Sequence, residues 1–212
     1  MLFVGITGGV GAGKSEILNY LGRHHGTRVM LADEIAHELM EPGTECFEKL
    51  AELFRNEDIF QEDGHFDRKK LASVIFADEE KRNLLNGIVH PAVKEYVCEQ
   101  VQAEREGGVR KLLVLEAALL IEEHYDEICD ELWYIYTDRE IRRERLKISR
   151  GYSDTKIDQI FDSQLSEDEY RKNCQLVINN DGRIEQTLAQ IDKALRERHI
   201  CCLLYTSPSP RD

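Results

Sequence analysis

Long apolar runs, paired cysteine motifs and a surplus of positive charge are all missing from this chain, and each absence removes a class of function. No apolar stretch approaches the roughly 20 residues that span a bilayer. The cysteines, Cys46, Cys98, Cys129, Cys174, Cys201 and Cys202, form no C-x-x-C and no Cys/His spacing suited to zinc, so reduced thiols are expected. Lys and Arg number 28 against 41 Asp and Glu, a formal net charge of −13. Nucleic acid and anionic membrane surfaces would be repelled, so neither is an expected partner and any anion site must be local. The opening Leu2-Phe3-Val4-Gly5-Ile6 is strand-like and carries no basic region followed by a long apolar stretch, which makes cytoplasm the expected location. A hydrophobic fraction of 42% in 212 residues allows one sizeable core with an insertion, not several independent domains.

What is present is an alternation. Short apolar runs predict strands over Leu2–Thr7, Arg28–Leu31, Leu112–Leu115, Leu132–Tyr136 and Leu176–Asn179. Helical periodicity fills the intervals, with Ile17, Leu18 and Leu21 on one face, then Ile35, Ala36 and Leu39, and finally Ile184, Leu188, Ile191 and Leu195. Strands apolar throughout and separated by helices predict a parallel sheet covered on both faces. The stretch 41–106 reads as a helical insertion, with helices expected over Thr44–Phe54, Arg68–Phe76, Glu79–Ile88 and Pro91–Glu104. Open α/β sheets bind ligands at the carboxyl edge, which such an insertion would cover. His90-Pro91 reads as a turn with proline at the first helical position. Residues 201–212 follow a completed helix and look appended, so residues 1–200 are taken as the domain.

The strongest local signal is Gly8-Gly9-Val10-Gly11-Ala12-Gly13-Lys14-Ser15, a G-x-x-x-x-G-K-[ST] loop between a predicted strand and a predicted helix. Glycine at 8, 9, 11 and 13 lets main-chain amides approach a phosphate chain and permits positive φ. The helix dipole adds to the attraction, Lys14 reaches the β- and γ-phosphates, and the Ser15 hydroxyl is a magnesium ligand.

A phosphate loop specifies a nucleotide, not a reaction. Asp33 follows the second strand, at the edge where an aspartate can take the proton of an attacking hydroxyl, which strand-end placement favours; as the residue before a helical run it is also a candidate N-cap, and the two roles are not exclusive. Glu116 closes the third strand, where it would support the magnesium shell or serve as a plain strand-end acid. Glu122 is a binding residue or a solvated charge. Arg139–Arg150 holds Arg139, Arg142, Arg143, Arg145, Lys147 and Arg150 in an otherwise acidic chain. Most of these suit a salt-bridged helix face, with Arg145 and Arg150 the candidates to swing over the triphosphate as part of a lid over about 139–165. No N-K-x-D or D-x-x-G is present to suggest a regulatory GTPase. A different small-molecule or nucleotide kinase, or a nucleotide-binding regulatory module, remains the alternative.

In order along the chain, Gly5-Ile6-Thr7-Gly8-Gly9 through Ser15, Ala32-Asp33-Glu34-Ile35-Ala36-His37, Glu41-Pro42-Gly43, His90-Pro91, Leu119-Leu120-Ile121-Glu122, Arg145, Arg150, Gln164 and Asn180-Asp181-Gly182 resemble the dephospho-CoA kinases. The resemblance implies an α/β three-layer P-loop NTPase fold with a five-stranded parallel sheet, a helical CoA-side insertion and a lid. It implies phosphorylation by ATP, with Mg2+, of the ribose 3′-hydroxyl of dephospho-CoA, the last step of coenzyme A synthesis, in a monomer or weak homo-oligomer. Gly11 to Glu16 match the family's ATP loop and Asp33 its proposed base; Asp33, His90 and Glu122 are expected on the acceptor. The chain departs from the family pattern at Leu31, where many members carry aspartate, at Ala118 in place of a usual proline, at Asn179 in place of a common aspartate, and by one extra residue between Arg145 and Arg150.

Overall fold

The structure, a computed structural model, describes residues 1–200, so the expected appended segment 201–212 lies outside the described residues. The chain divides into two compact units, one of residues 1–30 and 104 onward, the other Leu31–Ala103.

The first unit is built on a five-stranded sheet of β1 (Leu2–Thr7), β2 (Thr27–Leu31), β3 (Leu112–Glu116), β4 (Glu131–Tyr136) and β5 (Leu176–Asn179), in the order β2-β3-β1-β4-β5. β1 runs parallel to both neighbours, with Val4 opposite Val114 on one side and Ile6 opposite Trp133 on the other, and β4 runs parallel to β5. Consecutive residues Phe3 to Thr7 of β1, and Leu112 to Leu115 of β3, are all buried. Burial of successive positions, which point to opposite faces, means that both faces of the central strands are covered. The entry edge is tied by side chains: Asp130 accepts from the Phe3 amide at 2.7 Å, and Gln175 accepts from the Leu132 amide at 2.7 Å.

The helices of this unit are α1 (Lys14–Gly22), α6 (Arg139–Arg150), α7 (Asp154–Asp162), α8 (Glu167–Asn173) and α9 (Ile184–Glu197). Their starts are chemically marked. Asp138 caps α6, Ser153 caps α7, and Ser166 with Glu169 forms a reciprocal capping box on α8. Gly151, in the left-handed conformation, ends α6.

The second unit contains α2 (Ala32–Leu39), α3 (Glu45–Leu53), α4 (Arg68–Ala77) and most of α5 (Glu79–Gly107). Phe66 packs its ring against Phe47 and Phe60, with Leu50, Phe54, Ile59 and Leu71 buried in the same unit. α5 corrects the expected turn at His90-Pro91: the helix runs through Pro91 without a break. A proline inside a helix deletes the bond to the carbonyl four residues earlier, here Gly87. Gly87 and Pro91 are both exposed, which leaves that carbonyl open to water, while Leu85, Val89, Val93, Val97 and Val101 bury a stripe along the other side. Burying that stripe outweighs the lost bond. Among the described residues no helix is long and apolar enough to cross a membrane.

Leu113, completely buried in β3, tests the sheet core. Leu113→Ala is expected to cost about 2 to 5 kcal/mol in urea unfolding, through lost burial and a residual cavity.

Candidate nucleotide and phosphoryl-transfer site

The loop between β1 and α1 is shaped by its backbone and then fixed by buried side chains. Gly8, Gly11 and Gly13 have positive φ. Gly13 is the N-cap of α1 at φ 87°, and no side chain caps the helix. The first-turn amides of α1 therefore have neither an intrahelical nor a side-chain acceptor, which is the arrangement that binds an anion. The Ala12 amide donates to the Gly9 carbonyl at 3.1 Å and closes the curve. The Ala12 carbonyl accepts from two buried donors, Asn180 Nδ2 at 2.7 Å and Thr137 Oγ1 at 3.1 Å. Thr137 and Asn180 are the residues immediately after β4 and β5. Asn180 is fixed in turn by the Thr187 hydroxyl, which donates to its Oδ1 at 2.8 Å.

Lys14 opens α1, and its ammonium donates to the Gly8 carbonyl at 2.8 Å and lies 3.5 Å from Glu116 Oε1 at the end of β3. Cation, carboxylate and loop carbonyl thus converge at the ends of two adjacent strands. Ser15 and Glu16 follow Lys14, both exposed in the first turn of α1.

The comparisons with known proteins agree with this geometry. The profile of the dephospho-CoA kinase family matches residues 2–186. A dephospho-CoA kinase of Symbiobacterium thermophilum is 36% identical over 196 residues, covering 92% of this chain and 81% of that protein. One from Bacillus cereus is 37% identical over 197 residues, covering 93% and 97% respectively. The chain belongs to the dephospho-CoA kinase family. A crystal structure of a Thermus thermophilus protein superposes with a TM-score of 0.74 at 28% identity, covering 92% of this chain and 97% of the other. The chain is thus a kinase of the P-loop fold.

Of the residues singled out in the sequence of this kinase, the structure brings Lys14, Glu116 and Arg145 into one network around the loop. Arg145 Nη2 donates to the Asn180 carbonyl at 2.8 Å, and its Nη1 lies 3.5 Å from Thr137 Oγ1. It is held by the same two residues that pin Ala12. Arg150 is the exposed last residue of α6; its guanidinium carbon sits 5.9 Å from the Tyr152 ring and makes no hydrogen bond to the loop. Glu122 is exposed in a turn after β3, so it does not start a helix. Asp33 and His90 belong to the second unit. The N-cap alternative for Asp33 is overturned: α2 begins two residues earlier than that cap requires, Leu31 is its N-cap, and Asp33 is an exposed first-turn residue that makes no cap bond.

The salt-bridged face expected of α6 is there. Arg139 faces Asp158 and Asp162, Arg143 pairs with Asp154 and Asp158, and Lys147 with Asp154. Arg142, grouped with these in the sequence, behaves differently. It stacks 4.3 Å from the Phe161 centroid and donates to Gln164 Oε1 at 2.8 Å. Burial pulls its pKa below the usual guanidinium value. Thr137, Asn180 and Arg142 were missed as site residues. The available signal for the first two was a polar residue directly after an apolar strand.

Among the described residues no group of three or more His, Cys, Asp or Glu side chains is placed to hold a metal ion. Magnesium needs no such group, because it keeps several waters and binds through one or two protein oxygens together with substrate phosphates.

Asn180→Ala removes the buried donor to Ala12 and takes from the Thr187 hydroxyl its nearer acceptor, leaving it the Asn179 carbonyl at 3.2 Å. It is expected to cost about 1 to 3 kcal/mol of stability and to weaken ATP binding, measured by calorimetry on the same preparation.

Proposed function

We propose that this kinase transfers the γ-phosphoryl group of ATP to the ribose 3′-hydroxyl of dephospho-CoA, giving CoA and ADP, in the cytoplasm and as a monomer or weak homo-oligomer. Family membership over nearly the whole chain, joined to a phosphate loop whose Lys14 meets Glu116, carries the reading. Residues 1–200 are read as the catalytic domain, about 41–106 as the acceptor-side helical subdomain and about 139–165 as the lid.

In this reading the amides of residues 8 to 15 bind the donor phosphates. Lys14 leaves the Gly8 carbonyl to balance charge on the β- and γ-phosphates. Ser15 and Glu116 hold Mg2+, directly or through water, and the ion supplies charge neutralisation across the transferring group. Arg145, anchored at Asn180, directs a guanidinium to the developing charge, and Arg150 joins it from the end of α6 if the lid closes. Asp33 accepts the proton of the 3′-hydroxyl. Its exposure and its freedom from capping support this, because a base must be able to meet the acceptor oxygen. His90 and Glu122 are read as contacts to the acceptor.

Incubation with MgATP and dephospho-CoA, followed by mass analysis, is expected to yield CoA and ADP in equal amounts. ATP consumption that ignores dephospho-CoA but responds to another alcohol would reassign the acceptor. Asp33→Asn is expected to keep ATP binding while turnover falls by roughly 10²- to 10⁴-fold; unchanged turnover removes Asp33 from the mechanism. Chelation by EDTA is expected to abolish product formation, with recovery on adding excess MgCl2.

A further inference from the structure

Gly9 stands apart from the other glycines of the phosphate loop. Its φ is not positive, so the backbone there does not require glycine. The three atoms nearest a side chain there all belong to one residue. A Cβ at position 9 would lie 2.2 Å from Arg142 Nη1, 2.4 Å from Cζ and 2.8 Å from Nη2. The Arg142 guanidinium is therefore laid on the Gly9 backbone, in the space a methyl group would fill. Of the four glycines expected to permit positive φ, Gly9 is the one that does not adopt it.

Arg142 reaches that seat from α6 and is held by residues further along the chain, with Phe161 of α7 on the guanidinium face and Gln164 beyond α7 accepting from Nη2. Its Nε is buried and makes no hydrogen bond, a cost the fold carries to keep the group there. The loop and the lid helices touch again through Val10, which packs on the buried cluster of Leu146, Ile157 and Phe161.

We propose that Arg142 is a positioning residue for phosphoryl transfer, coupling the lid helices α6 and α7 to the phosphate loop, and that glycine stands at position 9 to seat its guanidinium. The proposal rests on the kinase reading above. It makes a specific structural claim: a methyl group at position 9 should act by unseating Arg142. The obstructing atoms are the far end of a flexible side chain, and Arg142 borders a cavity of about 370 Å³ lined also by Tyr134, Phe161, Gln164 and Tyr170. The displaced guanidinium has somewhere to go, so the fold survives and the positioning does not.

The test is a double-mutant cycle of Gly9→Ala and Arg142→Ala, with wild type, both single variants and the double variant assayed with ATP and dephospho-CoA. Each single change is expected to lower kcat by roughly tenfold, through misplacement of the lid, with KM for ATP moving less than about threefold. The double variant is expected to fall within about twofold of the worse single variant, because both changes break one contact. Losses that multiply, or a wild-type kcat in Arg142→Ala, overturn the proposal. Hydrogen exchange of α7 in the same four proteins without nucleotide is the second arm: both single variants should speed it equally, and an unchanged rate in Gly9→Ala overturns the coupling. If Arg142→Ala does not fold, Gln164→Ala takes its place in the cycle. Absence of dephospho-CoA-dependent turnover in the wild type would sink the functional reading, and the exchange arm would still decide the coupling.

Discussion

The carbonyl of Ala12 is where the sheet takes hold of the phosphate loop. A loop rich in glycine has many shapes to choose from, and entropy favours them all over one. Two buried donors at the ends of adjacent strands, Asn180 and Thr137, accept no such choice: each needs an acceptor, and the Ala12 carbonyl is the one they share. The cost of leaving the Asn180 amide unpaired fixes the loop against the sheet, and Thr137, whose hydroxyl also has the Asn180 carbonyl at 3.4 Å, reinforces it. Arg145 rests on the same pair. The position of a charged side chain and the curvature of the loop are thus two consequences of one arrangement.

The same economy governs the cations of α6. The chain is strongly acidic, so a cluster of bases is drawn to whatever carboxylates its helix can reach. Arg143 and Lys147, four residues apart, share Asp154, and Arg139 faces α7 acids. The carboxylates of these pairs are exposed, and ion pairs open to solvent contribute little to stability. Arg142 and Arg145 lie three apart on a neighbouring face and turn toward Gly9 and Asn180 instead. Helical geometry therefore sorts one run of charge into a solvated face and a face that serves the loop.

Much of the architecture was legible because its causes are local. Five strands were expected and five form; β1 and β5 have the expected bounds, and the others differ by one residue at an end. Apolar runs bounded by turn residues report burial directly. The helix through Pro91 was not legible, since the rule for proline is local and the stripe from Leu85 to Val101 that overrides it acts across the unit. The cap role considered for Asp33 failed for a related reason: helix α2 starts at Ala32 with Leu31 as its N-cap, and a shift of two residues moves a carboxylate from the cap into the first turn.

By itself the sequence determined the alternating α/β order, the parallel sheet and the phosphate loop, because period, turn chemistry and glycine spacing act over a few neighbouring residues. It also carried the ordered blocks that resemble a kinase family. Only the tertiary structure decided which polar residues hold that loop, since Thr137 and Asn180 lie 125 and 168 positions from Ala12. It likewise decided which arginine meets Gly9. Both depend on strands packing side by side in the order β1-β4-β5, and no local pattern encodes which side chain a remote carbonyl or a missing methyl group will meet.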